Sequence, residues 1–263
     1  MKKLLLICRL IFTTYAFILL ISYLLLIFPL VIVASFFGKE RGGNFIYRLC
    51  YLWVDIELPL VGIFHKNIFE SPHAANQPYV FVFNHISYMD IPTLMKTFRQ
   101  QQFRVLAKAD LAKIPLFGFL YKSATVMVDR SNADNRAKSL TQLKSIIAKG
   151  ISVVIAPEGT FNMTHQPLKE FYNGAFKLAI ETQIPIKPVL FLDNYDRLPY
   201  QNIFSLTPGK SRAVFLEAVP VDGLTLNDVE MLKAKVFGMM EQKLIAYKAS
   251  WIKEEKGNLL LQA

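Results

Sequence analysis

The chain opens on one long apolar block and then settles into short apolar runs divided by polar stretches bearing glycine and proline. Residues 10 to 38 carry no charged side chain, a run of 29 residues. That is too long for an ordinary core helix and long enough to meet lipid. A secretory leader is the first alternative, since the chain starts Met1-Lys2-Lys3. The apolar run is longer than a leader's, however, and no small-x-small site ends it, so the segment is expected to stay. Basic residues flank it on both sides (Lys2, Lys3 and Arg9, then Lys39, Arg41 and Arg48) and give no orientation. Pro29 would allow a re-entrant hairpin. One span and a re-entrant or monotopic helix are therefore both open. Residues 44 to 63, aromatic and sparsely charged, read as a second helix, either interfacial or an ordinary amphipathic packing helix. Residues 1–63 are expected to form a membrane-associated helical segment.

Beyond it, residues 64–263 predict a single catalytic domain. Residues 65 to 78 are polar, with two prolines, and read as a loop. Tyr79 to Phe83 reads as a buried strand, and a helix is expected from Ile91. Strands follow at 103–107, 124–128, 151–156, 186–192 and 213–216. Between them the pattern predicts a broken helical piece at 110–122 and helices at 133–149 and 171–182. A charged amphipathic helix closes the series at 226–251. Pro188 suggests an edge or a bulge in its strand. Strands alternating with helices predict an α/β fold, with a mostly parallel central sheet flanked by helices. An N-terminal apolar membrane-embedded helix or hairpin precedes it.

The formal net charge is +10, and it is uneven. Residues 96 to 149 hold eleven Lys/Arg against three Asp, a net of +8. Such a face suits anionic lipid, a phosphorylated substrate, an acidic carrier protein or nucleic acid. No nucleic-acid fingerprint accompanies it. Cys8 and Cys50 lack metal-ligand spacing and read as reduced apolar residues.

Chemistry is suggested by Asn84-His85-Ile86-Ser87-Tyr88-Met89-Asp90, at a strand-to-helix junction. A tight turn there can bring Asp90 to one ring nitrogen of His85. The other nitrogen is then free to take a proton from a hydroxyl. An ordinary turn histidine beside a capping aspartate fits the spacing equally well. A second stretch, Ala156-Pro157-Glu158-Gly159-Thr160, leaves a strand into a glycine turn. The Gly159 and Thr160 N–H groups could face a site, with Glu158 as an exposed carboxylate gripping a substrate hydroxyl. The plainer reading is a turn with a solvated glutamate. A third runs from Lys108-Ala109-Asp110-Leu111 through Ile114-Pro115-Leu116-Phe117-Gly118 to Val128-Asp129-Arg130. There Arg130 could fork onto a phosphate or pair with a nearby aspartate. A fourth, Ile184-Pro185-Ile186-Lys187-Pro188-Val189, shapes the start of a strand.

Together, in this order and spacing over residues 79 to 192, these blocks resemble the glycerolipid acyltransferases, specifically the 1-acyl-sn-glycerol-3-phosphate acyltransferases. The resemblance implies transfer of a fatty acyl group from acyl-CoA or acyl carrier protein to the free hydroxyl of the lysolipid, giving phosphatidate in phospholipid biosynthesis. It implies His85 as base and Asp90 as its orienting partner. Lys108, Arg130, Glu158, Gly159 and Thr160 would bind substrate, with Lys108 or an amide near Gly159 as oxyanion donor. No metal or resident cofactor is expected. The expected partners are the bilayer, the lysolipid and the thioester, and the expected place is a membrane with the site on its cytoplasmic face. Three positions depart from the family's pattern. Phe161 stands where an arginine follows Glu-Gly-Thr, Tyr172 where a lysine is usual, and Ala124 where a glycine opens the block ending in Arg130. The first two remove cations from the phosphate region, leaving Arg130, Lys108 and Lys169. Two other readings follow. One keeps the chemistry but takes a lyso-aminolipid or other non-phosphatidate lysolipid. The other is a membrane-anchored protein that only binds anionic lipid.

Overall fold

The computed structural model describes residues 2–74, 76–128 and 133–253. Helix α1 (Lys2–Ser35) is unbroken, and Pro29 sits inside it. Its 34 residues make it about 51 Å long at 1.5 Å per residue. The chain reverses only afterwards, through a π-helical turn (Gly38–Gly42) into α2 (Gly43–Leu60). Gly42 lies against the Ala34 carbonyl so closely that any Cβ would collide with it. The hairpin is thus α1 with α2, and no re-entrant fold forms at Pro29.

The remaining elements are β1 (Ile63–Phe69), β2 (Val80–Phe83), α3 (Asp90–Thr97), β3 (Phe103–Lys108), α4 (Phe117–Ala124), β4 (Val126–Val128), α5 (Ala133–Ile147), β5 (Ser152–Ile155), α6 (Gly174–Thr182), β6 (Ile186–Phe191), α7 (Asn194–Arg197), β7 (Gly209–Phe215) and α8 (Val229–Ala246). One seven-stranded sheet runs in the order β1-β7-β6-β2-β5-β3-β4. All its pairs are parallel except β6 with β7. β2, β5 and β6 are buried at every position, because helices cover both faces of the sheet.

Two apolar clusters fill the two sides. On one, Val153, Ile155 and Leu190 from the sheet meet Leu178 of α6 and Val236 and Met240 of α8. On the other, Phe81, Val189 and Phe215 meet Leu94 of α3, Ile46 and Val54 of α2, and Ile27 and Val31 of α1. The N-terminal pair therefore shares a core with the sheet. The boundary expected at residue 63 falls at the α2–β1 junction but does not separate two cores. The outer face of α1, with Leu6, Ile18, Leu25, Leu26 and Val33, is left exposed.

Two sequence expectations change. Residues 63–69 are a strand, not a loop. β1 is an edge strand with polar His65, Lys66 and Asn67 between its apolar ends, so it lacks the clean alternation of a half-buried strand. Pro188 lies in an internal strand. Val189 pairs with Phe215 and Ile186 with Val219, so three steps on β6 face four on its neighbour. Pro188 sits opposite this bulge, where its missing N–H breaks no ladder bond.

Candidate active site

The carboxyl ends of the parallel strands gather the residues singled out above. His85 follows β2, Glu158 follows β5, and Lys108 ends β3. Arg130 falls after β4 but lies outside the described residues. This edge is where open α/β sheets bind their ligands.

The chain leaves β2 at Asn84, whose side chain is bonded to both main-chain groups of Phe191. Its Oδ1 accepts the N–H at 2.8 Å and its Nδ2 donates to the carbonyl at 3.1 Å. With the strand end fixed, residues 85–90 close a tight turn around the Asp90 carboxylate. Oδ2 accepts His85 Nδ1 at 2.7 Å and the N–H groups of Ile86 and Ser87 at 2.9 and 3.1 Å. Oδ1 accepts Asn194 Nδ2 at 2.8 Å. Asp90 is 2% exposed, and four donors compensate its burial. A carboxylate so placed holds the imidazole proton on Nδ1 and leaves the lone pair on Nε2. The His85 side chain is 27% exposed, and among the described residues Nε2 has no partner.

The second stretch grips the main chain of the same histidine. Glu158 is fully buried, with Oε1 accepting the His85 N–H and Oε2 the Lys169 N–H, both at 2.9 Å. The Asn162 N–H in turn donates to the His85 carbonyl at 2.7 Å. The expectation of an exposed Glu158 on a substrate hydroxyl is therefore corrected. The carboxyl is consumed by two N–H groups, one just past the end of β2 and one in the loop before α6, that would otherwise lack a main-chain partner. Burial pushes its pKa up to about 8, against the pull of those two N–H groups. Gly159 also differs from expectation. Its φ of +71° serves a tight turn, and its N–H donates to the Ala156 carbonyl rather than facing the site. Thr160 is exposed, with Lys169 Nζ on its hydroxyl at 2.8 Å.

Three features escaped the sequence reading. Phe161 lays its ring against the His85 imidazole, with centroids 4.4 Å apart, and Tyr88 meets it edge-on at 5.0 Å. Ser87 ties the turn to a distant loop, donating to the Leu198 carbonyl at 2.5 Å while accepting the Met89 N–H. Asn194 is fully buried and also accepts Thr93 Oγ1 at 2.9 Å. It comes from α7, over a hundred residues downstream, and only the fold brings it to Asp90.

Beside this turn, an apolar cavity of about 670 Å³ runs between the helical hairpin on one side and α3 and α4 on the other. Tyr88 and Met89 line it near His85, and Ala16, Leu20 and Leu24 of α1 and Leu120 of α4 line it farther on. Glu57 of α2 is a rare carboxyl on its wall. It accepts the Trp53 indole N–H, and burial raises its pKa to about 7. Among the described residues no cluster of His, Cys, Asp or Glu is placed to hold a metal ion.

The arrangement can deprotonate a hydroxyl beside an apolar slot. Comparison with known proteins agrees in kind. A family model described as "Acyltransferase" matches residues 65–192. A Caenorhabditis elegans protein, acl-2, assigned by name as a 1-acyl-sn-glycerol-3-phosphate acyltransferase, is 32% identical over 223 residues, 83% of this chain and 75% of that one. The Haemophilus influenzae 1-acyl-sn-glycerol-3-phosphate acyltransferase is 26% identical over 194 residues, 73% of this chain and 79% of its own. The human alpha form is 28% identical over 163 residues, but the match takes in only 56% of its length. Among solved structures, the 1-acyl-sn-glycerophosphate acyltransferase PlsC of Thermotoga maritima superposes with a TM-score of 0.73, covering 96% of this chain and all of that one. At 22% identity that likeness speaks to the fold.

Proposed function

This chain belongs to the acyltransferase family, and from that premise we propose that it acylates the free hydroxyl of 1-acyl-sn-glycerol-3-phosphate to give phosphatidate. The observation that carries the proposal is the His85–Asp90 pair with Nε2 open, at the strand ends beside a long apolar cavity. His85 Nε2 takes the hydroxyl proton as the oxygen attacks the thioester carbonyl of acyl-CoA or an acyl carrier protein. The C–O bond forms, the tetrahedral intermediate collapses, and the C–S bond breaks. The imidazolium returns its proton to the departing thiolate. Asp90 keeps the ring in its tautomer and stabilises the imidazolium. No acyl-enzyme is needed, so no serine or cysteine nucleophile enters. The cavity takes an acyl chain, and the apolar α1–α2 hairpin keeps the site at the lipid surface, which we place on the cytoplasmic face.

Lys169, held at Thr160 near the site, supplies positive charge for a phosphate. Lys108 sits at the same sheet edge, and we assign Arg130 to the same task. The oxyanion donor is narrowed to Lys108 or the Thr160 N–H, because the Gly159 N–H is spent in its own turn.

One observation favours a different acceptor. Phe161 sits on the His85 ring, at the position where the family pattern has a cation. A lysolipid without a phosphomonoester would meet less cost there. Assaying purified protein with lysophosphatidate, lyso-aminolipids and zwitterionic lysolipids, against both thioester donors, decides between them. Lysophosphatidate is expected to be used, with a narrower margin over the others than a fully cationic site would give. Phe161→Arg should widen the kcat/KM ratio by roughly tenfold to a hundredfold, the worth of one charge-assisted contact. A protein that ignores lysophosphatidate in favour of another lysolipid would overturn the proposal. A ratio unmoved by the substitution would show that phosphate is held away from Phe161.

A further inference from the structure

A smaller pocket lies at the other end of the sheet. It measures about 190 Å³, sits between α2 and the start of β3, and is lined by Arg48, Arg99, Arg104, Gln101, Tyr47 and Tyr51. Arg104 is level with Val153, and Val153 with Val80. His85 lies five residues farther along β2, which at 3.3 Å per residue is roughly 17 Å away, and about 10 Å across two strand spacings. The pocket is therefore separate from the site that holds His85.

Its charge is unbalanced. Arg104 is 5% exposed, yet its hydrogen bonds all go to neutral acceptors. These are the carbonyls of Lys39 and Glu40 at 3.1 Å, that of Phe103 at 2.8 Å, and Asn44 Oδ1 at 2.7 Å. Its guanidinium lies 5.1 Å from the Tyr47 ring centroid. Desolvation draws its pKa below the usual arginine value. Arg48 is exposed at the rim and has no carboxylate partner among the described residues. Arg99, near Tyr51, must share Asp55 with Lys96, at 2.9 and 2.5 Å. The Glu40 carboxylate also acts on Arg104 through space, but it is already bonded to Lys149 at 2.5 Å. Among the described residues Arg48, Arg99, Arg104 and Lys96 thus face only Asp55 and a Glu40 that has its own lysine. A buried cation with no carboxylate in hydrogen-bond contact is costly, and a bound anion offsets that cost.

The surroundings narrow the ligand. Asn44, Arg48 and Tyr51 form the stripe of α2 that faces the pocket. Phe45, Leu52 and Ile56 form the next stripe, exposed beside it, and Phe36 and Phe37 at the end of α1 are more exposed still. A lipid with its chains along that apolar stripe would bring its headgroup phosphate to Arg48 and Arg99, whose forked donors match phosphate oxygens, with the Arg104 charge behind them.

We propose that this pocket binds the headgroup phosphate of an anionic phospholipid of the surrounding bilayer, apart from the lipids handled at His85. Net negative charge matters, because a choline would bring a cation toward the same arginines. The test uses the full chain in nonionic detergent and titration calorimetry with dihexanoyl phosphatidylglycerol, dihexanoyl phosphatidylcholine and inorganic phosphate. The glycerol lipid should bind at least tenfold more tightly than the choline lipid. Arg48→Gln with Arg99→Gln, both on exposed side chains, should erase that margin while acyl transfer to micellar substrate continues. Lys210→Gln with Lys235→Gln removes the same charge from exposed positions elsewhere and should leave binding unchanged. Equal affinity for the two lipids, an unaffected arginine variant, or equal weakening in the lysine variant would each overturn the proposal. Displacement of the lipid by inorganic phosphate at equal concentration would also do so, since the pocket would then serve the free anion.

Discussion

At the scale of single residues, the site depends on main-chain groups being held as firmly as side chains. Glu158 shows how. In the unfolded chain its carboxyl titrates near 4.5, and in the folded chain near 8. The folded state therefore binds the extra proton between those values, and stability should fall as pH rises from about 4.5 toward 8. Glu158→Gln removes that titration and turns an amide donor toward one of two N–H groups, at a cost of about 1–3 kcal/mol. Unfolding midpoints at pH 5 and pH 9 should show a large deficit at the lower pH that shrinks at the higher one. A deficit constant with pH would mean that Glu158 is ionised throughout. Asn194 acts on the other side of the histidine, through Asp90. Asn194→Ala should lower kcat about tenfold to a hundredfold with little change in KM, because Asp90 loses one of four donors and His85 its fixed orientation. A change confined to KM would place Asn194 against substrate instead. His85 and Asp90 were legible in sequence because a five-residue turn is a local matter. Asn194 and the burial of Glu158 were not, since each depends on contacts between chain segments far apart.

At the scale of elements, the same division holds. The buried strands β2 and β5 announce themselves as apolar runs, β6 as an apolar run interrupted by Lys187 and Pro188, and α5 and α8 as helical periodicities. β1 does not, because an edge strand paired on one side tolerates His65, Lys66 and Asn67. The apolar N-terminus was visible by composition, but its packing was not. Ala16, Ile27, Val31 and Ala34 of α1 are buried. Deleting residues 1 to 40 would thus strip a wall from the cavity and uncover Ile46 and Val54, which are also buried. The truncated chain is expected to aggregate in mild detergent and lose activity, rather than survive as a free α/β core. Size-exclusion chromatography with an activity assay checks this. A monodisperse, active truncation would show that α1 serves only as an anchor.

At the scale of the whole molecule, one face of the sheet is closed by α6 and α8, and the other by α1, α2 and α3. α1 is long and apolar enough to cross a membrane, yet its buried positions from Thr13 to Ala34 lie against the domain. A perpendicular crossing would drag polar protein surface into hydrocarbon, whereas an in-plane position leaves only the apolar outer face in lipid. In that position the proposed acceptor and acyl chain would reach His85 without leaving the membrane surface. The claim on which all of this turns is that His85 removes the proton from the lysolipid hydroxyl. Its most direct test is single-turnover acyl transfer to lysophosphatidate by the wild type, His85→Ala and Asp90→Asn, each verified as folded. The account predicts phosphatidate from the wild type and a loss of about 10³-fold or more with His85→Ala. It predicts a loss of several powers of ten with Asp90→Asn, through the wrong tautomer. Wild-type turnover by His85→Ala with the same acceptor would contradict it.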